Sequence, residues 1–407
     1  MRILAIETSC DDTGIAILEA GNAGNFKVLS NIVSSQTKIH KKYGGVYPAM
    51  AKREHQRNLV PVLINALKQA KLLISKSKIQ ISKQIQNPNF KTIKIILERE
   101  PELLKKLIPF LQKYEKPDVD LISVTNGPGL EPCLWVGVNF AKCLSCFWNI
   151  PVVPVDHIES HILVNFLENK DIKFPAIALV VSGGHTQIIL VKKICKYQIL
   201  GETRDDAAGE CFDKCAKILG LGYPGGPIIA QLTTEARHLH RSPASVKLPR
   251  PMISTKDYDF SFSGLKTAVL YAVEKKYGQA PLRSAFSRTS EGRQYIKQMC
   301  VEVQQAIIDV LIKKTMKAVR DYKAKTIILG GGVSANSELR KQFARHCEGE
   351  ARSNLKLIFP KPNLSTDNGL MIAVTGFYHK KNALRYSSGQ VANWKEIQAD
   401  GNLRISK

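Results

Sequence analysis

The sequence predicts an α/β protein made of a duplicated unit, with a cleft between its two halves. Two observations lead there. The order strand, strand, strand, helix, strand, helix runs twice along the chain, and in each half a tight turn joins the first two strands. At 407 residues the chain is also too long for one small core and suits two domains. In the first half, "RILAIE" (2–7), "GIAIL" (14–18) and "KVLSNIVSS" (27–35) read as strands, followed by a helix over about 50–73. "VDLISVT" (119–125) is a buried strand, 135–148 a helix and "IPVVPV" another strand. Asp156 can then cap a helix that carries His157 and His161. In the second half, strands are expected at 176–182, 186–192 and 197–203, with helices over 209–237, 264–276 and 292–322. "KTIILGGG" (325–332), a helix from Asn336, the strand "LKLIF" and a helix from Thr366 to about His379 complete it. These elements divide the chain into 1–153, 154–365, a returning helix 366–380 and a loosely ordered polar tail 381–407.

Residues 75–116 interrupt the pattern. The stretch is rich in lysine and longer than ordinary connections, so it reads as an insertion, with "FKTIKIIL" as a possible strand and "PELLKKLIPFL" as a short helix. It is either an arm that contacts nucleic acid or a surface excursion the fold tolerates.

Net charge of +24 points to an acidic partner, most often nucleic acid, against the plainer reading of a compositional lysine bias. Apolar and charged contents of 44% and 23% are those of a globular protein. No window is long and apolar enough to span a membrane, and "MRILAIETSCDD" lacks the pattern of a signal peptide, so a cytoplasmic protein is expected. The nine cysteines are scattered and odd in number, which suits reduced packing thiols better than disulfides or a zinc ribbon.

His157 and His161 stand four positions apart in "PVDHIESHIL", a spacing that places them on one helix face. They are a metal grip or two polar residues that share that face; spacing leaves both open. Three turns suit phosphate. "ETSCDDTG" (7–14) and "VSGGHT" (181–186) occupy matching places in the duplication, with the hydroxyls of Ser9 and Ser182, and "LGGGVSAN" (329–336) opens a helix.

These motifs, with "SSQTKIHKKYGGVYPAMAKREHQRNL", "VTNGPGL", "DDAAGECFDKCAKILGLGYPGGP", "FSFSGLKTAV" and "STDNGLM", closely resemble the tRNA threonylcarbamoyladenosine transferase family (TsaD type), formerly known as O-sialoglycoprotein endopeptidases. The likeness runs over 1–75 and 117–380. It implies a two-lobed actin/Hsp70-like ATPase (RNase H-like) fold with the active site in the interlobe cleft. It also implies transfer of the threonylcarbamoyl group of threonylcarbamoyl-AMP to the exocyclic amine of adenosine 37, in tRNAs reading codons that begin with adenine. The resemblance maps metal ligands onto His157, His161 and Asp367, holding one divalent ion, Fe(2+) ahead of Zn(2+). Substrate contacts map onto Leu179, Val180, Val181, Ser182, Gly183, Gly184, His185, Asp213, Gly226 and Asn336. Ser9 and Asp12 fall in the first phosphate turn. Asp11 at its mouth is the candidate to guide the incoming amine, or else stabilises the turn. Helper proteins TsaB and TsaE are implied as partners alongside tRNA, with no membrane or DNA expected.

Ser160 before the second histidine, Pro132 after "GPGL" and Met50 in "YPAMAKREH" depart from the family pattern and put local geometry in question. A metallopeptidase would need H-E-x-x-H, whereas His157 is followed by Ile158. A small-molecule kinase would explain the phosphate turns but not the metal triad, and a tRNA-binding scaffold would not need His157.

Overall fold

The computed structural model describes residues 1–21, 24–77, 87–238, 246–278, 289–349, 355–385 and 394–405. The chain forms two units: 1–38, 46–170 and 367–405 make the first, and 39–45 and 171–366 the second. The histidine helix thus belongs to the first unit, not to the second half where the sequence boundary at 153 had placed it.

The first unit has strands β1 (Arg2–Glu7), β2 (Asp12–Ala20), β3 (Phe26–Ser35), β4 (Leu121–Gly127) and β5 (Val152–Asp156), in the order β3-β2-β1-β4-β5. The first three are antiparallel and β1, β4 and β5 run parallel. The second unit repeats this with β6 (Ala176–Val181), β7 (Thr186–Lys193), β8 (Lys196–Glu202), β9 (Thr326–Gly330) and β10 (Lys356–Ile358), ordered β10-β9-β6-β7-β8. Again the first three are antiparallel and the last two join in parallel. The duplication read from the sequence is therefore a duplication of topology.

Helices longer than one turn in the first unit are α1 (Pro48–Gln69), α2 (Asn89–Ile96), α3 (Pro101–Lys113), α4 (Glu131–Trp148) and α5 (His157–Leu163). The second unit has α6 (Ala208–Ile218), α7 (Gly225–His238), α8 (Ser263–Tyr277), α9 (Ser290–Asp321) and α10 (Ser337–Gly349), and α11 (Gly369–Arg385) completes the first. The single helix expected over 209–237 is two. Gly220 takes a left-handed backbone (φ 70°) that closes α6, and Pro224 follows in the link.

Residues 75–116 are no mere excursion. "FKTIKIIL" is helical, because Phe90, Ile93 and Leu97 recur at the spacing of one helix face and are buried. With Leu103, Leu107, Phe110 and Leu111 of α3 they join the core formed by Leu59, Leu63 and Leu67 of α1 and Phe140, Leu144 and Trp148 of α4. Residues 78–86 lie outside the described residues. The tail also differs from expectation. Of 381–407, α11 continues to Arg385, and Ile397 is buried in the same core. The Asp400 amide donates to the Asn126 carbonyl at 2.7 Å, and the Gly129 amide to that of Gly401 at 3.2 Å.

α11 packs across β1, β2 and β5. Its first residue touches β2 directly: a Cβ on Gly369 would lie 2.5 Å from the Ala16 nitrogen, and one on Gly14 would lie 2.7 Å from the Gly369 nitrogen. Backbone cannot give way as a side chain tip can, so Gly369→Ala is expected to cost at least about 1–3 kcal/mol of stability. Denaturant unfolding checks this; an unchanged midpoint would refute it. Among the described residues no helix is long and apolar enough to cross a membrane, and the nine cysteines are free thiols.

Candidate metal centre and nucleotide turns

The parallel strands β1, β4 and β5 end at Glu7, Gly127 and Asp156, at the carboxyl edge where α/β sheets commonly bind ligands. β1 ends on Glu7, whose side chain is fully buried, and the neighbouring Thr125 of β4 donates its hydroxyl to Glu7 Oε2 at 2.5 Å. β5 leads directly into α5. Asp156 caps that helix by accepting the Glu159 amide at 2.8 Å, and its carbonyl accepts the Ser160 hydroxyl at 2.7 Å. Ser160 is thus buried with a partner, and the departure from the family pattern at this position is absorbed locally.

α5 presents His157 and His161, both buried, with ring centroids 4.7 Å apart. Asp367 enters from the turn before α11. Its Oδ1 lies 3.6 Å from His157 Nε2 and 3.2 Å from His161 Nε2. The start of α11 is capped by the next residue, Asn368, whose Oδ1 accepts the amides of Leu370 and Met371 at 3.0 and 3.2 Å. On the far side, His157 Nδ1 faces Glu7 Oε2 at 3.3 Å and Ser9 Oγ at 3.2 Å. Glu159 points the other way and meets His379 Nε2 of α11 at 2.7 Å, pinning α5 to the helix that follows Asp367.

The residues fit a divalent cation on three counts. One ligand atom from each of His157, His161 and Asp367 lies within 4.8 Å of the others. Ligands about 2.0–2.1 Å from a tetrahedral ion stand roughly 3.4 Å apart, near the spacings found here. Among the described residues neither ring nitrogen of the buried His161 makes a well-directed hydrogen bond, although Nε2 faces Asp367 Oδ1 at 3.2 Å. Finally, negative charge is concentrated. Burial, together with the carboxylates of Asp367, Asp11 and Glu7, pushes Asp12 up to about 7. Burial alone would lower His157, but Asp367 and Glu7 outweigh it and hold the imidazole up at about 9. Burial lowers His161 despite Asp367. A proton on His157 therefore offsets charge that a cation can offset instead.

The turn "ETSCDDTG" is braced by a residue that sequence reading missed. His55 of α1 is buried, with Nε2 2.9 Å from the Cys10 carbonyl and Nδ1 2.8 Å from Thr13 Oγ1. The Asp11 carbonyl accepts the Gln36 amide at 3.1 Å, and Asp12 opens β2 with an Oδ1 that has no hydrogen-bond partner among the described residues. Ser9 is buried, its amide donating to Glu7 Oε1 at 2.5 Å.

In the second unit, Leu179, Val180 and Val181 are buried in β6; Leu179 and Val180 are paired by β7 and β9, and Val181 by β7. They support the turn that follows. The Ser182 amide donates to the His185 carbonyl at 2.8 Å, and the His185 amide to Ser182 Oγ at 3.1 Å. Nothing lies within 4 Å of where a Cβ would sit on Gly183 or Gly184, which leaves that backbone open to an approaching group. Asp213 of α6 accepts the Gly225 amide at 2.6 Å and fixes the start of α7, beside Gly226. Asn336 caps α10 through the Leu339 amide at 3.0 Å and donates to Gln304 Oε1 at 2.8 Å. Asp213 and Asn336 thus also hold helix starts.

The sequence profile described as tRNA N6-adenosine threonylcarbamoyltransferase (TsaD) matches residues 27–81 and 98–374. Proteins of that name from Persephonella marina and Thermosipho africanus are 40% and 41% identical over 410 and 405 residues, covering the whole of this chain and 96% and 100% of theirs. The chain belongs to this family. Of the 75–116 segment, only 82–97 falls outside the family profile, so the resemblance extends further than 1–75 and 117–380. Full-length HypF in its phosphate- and nucleotide-bound form is similar in fold, with a TM-score of 0.50 at 11% identity over 96% of this chain and 47% of HypF. With the repeated sheet order, this is the duplicated actin/Hsp70-like ATPase fold. Family membership makes the chain a transferase acting on tRNA adenosine and sets aside the kinase and scaffold alternatives.

Proposed function

We propose that this chain passes the threonylcarbamoyl group of threonylcarbamoyl-AMP to the exocyclic amine of adenosine 37 in tRNA, using one divalent ion held by His157, His161 and Asp367. The single observation that carries the reading is the convergence of these three side chains in a member of this family. When bound, the ion supplies Lewis acidity toward substrate oxygens, and two imidazoles with one carboxylate suit Fe(2+) or Zn(2+).

The remaining work is positioning. The adenylate is already a good leaving group, so transfer needs alignment and charge stabilisation more than activation. The open backbone at Gly183 and Gly184, with Ser182 and His185, suits the phosphate. The α7 start beside Gly226, fixed by Asp213, and the α10 start at Asn336 suit ribose or base. Ser9 and Asp12 form the matching turn of the first unit, and Asp11 guides the incoming amine. Its nitrogen bonds to the carbamoyl carbon as the bond to the phosphate oxygen breaks; AMP departs and the proton passes to a base or water. The family resemblance supports a cytoplasmic setting with TsaB and TsaE as helpers.

The test is to incubate purified chain and helpers with threonylcarbamoyl-AMP and unmodified tRNA, then analyse the nucleosides by mass. Threonylcarbamoyladenosine is expected, and a chelator should remove it; its absence with active helpers refutes the reading. The charge of +24 also predicts that tRNA affinity falls steeply with salt, about tenfold or more between ~50 and ~200 mM if several phosphates are neutralised. A flat dependence would make the charge compositional only.

A further inference from the structure

We infer that Glu7 is the positioning residue for His157, orienting its ring so that Nε2 faces His161 and Asp367. The inference rests on the metal reading above and gives a role to a residue that reading does not use. Glu7 is 0% exposed and sits at the end of a strand whose preceding residues Ile3, Leu4, Ala5 and Ile6 are equally buried and apolar. A carboxylate in such a place is costly unless its oxygens are well occupied.

They are occupied, and in a directed way. Oε1 takes the Ser9 amide at 2.5 Å, and Oε2 takes the Thr125 hydroxyl at 2.5 Å. Those two donors, one from the β1–β2 turn and one from β4, fix the carboxylate plane. The same Oε2 lies 3.3 Å from His157 Nδ1. A ring whose Nδ1–H is given to Glu7 offers the Nε2 lone pair on its other side, where Asp367 Oδ1 stands 3.6 Å away. Ser9 Oγ, 3.2 Å from the same Nδ1, ties this orientation to the first phosphate turn. Among the described residues His161 Nδ1 has no such hydrogen-bonded support, so Glu7 governs one ligand of the pair.

Calorimetric titration with Co(2+), with its visible absorption as a second readout, tests this on the full chain. Wild type and His157→Ala come first: equal binding by both would overturn the metal reading, and the inference with it. Where His157→Ala weakens binding, Glu7→Ala is expected to lower Co(2+) affinity about 10–100-fold. Glu7→Gln, which keeps an acceptor oxygen for Nδ1–H, should recover part of that loss. Unchanged affinity and spectrum in folded Glu7→Ala would overturn the inference while leaving the metal reading intact. If Glu7→Ala does not fold, Thr125→Val removes one of the two donors that fix the carboxylate. A several-fold loss with an altered spectrum supports the inference, and wild-type behaviour overturns it.

Discussion

Asp367→Ala is expected to give a folded protein that neither retains a divalent ion nor modifies tRNA. The carboxylate is about a fifth exposed, and Asn368 Oδ1 holds the amides of Leu370 and Met371, so the start of α11 keeps its cap when Asp367 is lost. Loss of one of three ligands should lower ion affinity by more than the ~10–100-fold typical of losing an outer partner. His157→Ala should abolish transfer too, but at a cost in stability that the sequence did not foretell. It strips the buried Glu7 of its counter-charge, a change worth roughly 3–5 kcal/mol when one partner of a buried pair is removed. Metal analysis and thermal unfolding of both variants separate the effects. Full ion occupancy with unchanged transfer in Asp367→Ala would refute the metal assignment.

Replacing 77–115 with a short Gly-Ser link is expected to abolish soluble expression. Read from sequence, this segment looked removable, because a long loop costs little in closure entropy. The structure reverses that expectation. The link would delete Phe90, Ile93, Leu97, Leu103, Leu107, Phe110 and Leu111 from the core and bare the faces of α1 and α4 they cover. At ~1.5–3 kcal/mol for each large apolar side chain, the loss is on the order of 10–20 kcal/mol, an upper bound that still reaches the whole stability of a typical domain. The single change Leu107→Ala, at a position with 0% exposure, should cost ~2–5 kcal/mol. A soluble deletion variant with a cooperative unfolding transition would refute this.

The strands were legible because each is a short run of buried aliphatic residues between turn residues, and the repeat of turns exposed the duplication. The meeting of His157, His161 and Asp367 was legible only through family resemblance. Spacing put His157 and His161 on one face, but nothing local connects them to Asp367. Glu7, Thr125 and His55 were harder still. Their roles arise from strand order, which brings Thr125 beside Glu7, and from a helix crossing the β1–β2 turn. One hint existed: a lone acidic residue directly after the apolar run Ile3–Ile6. "FKTIKIIL" misled because its β-branched residues favour strands, while burial follows the period of a helix. The tail misled because its polar composition hid a few residues, Ile397 chief among them, that dock on the core.

The first unit is built from 1–38, 46–170 and 367–405, and 171–366 belong to the second unit. Synthesis from the N-terminus therefore delivers His157 and His161 long before Asp367, and the whole second unit must be made in the interval. α11, which packs on β1, β2 and β5, is made after the whole of that unit. Every nascent or truncated chain that stops short of residue 367 lacks Asp367 and the helix that seats it. With the ion held as proposed, such chains would offer it only His157 and His161, so firm ion retention would report a chain synthesised through α11.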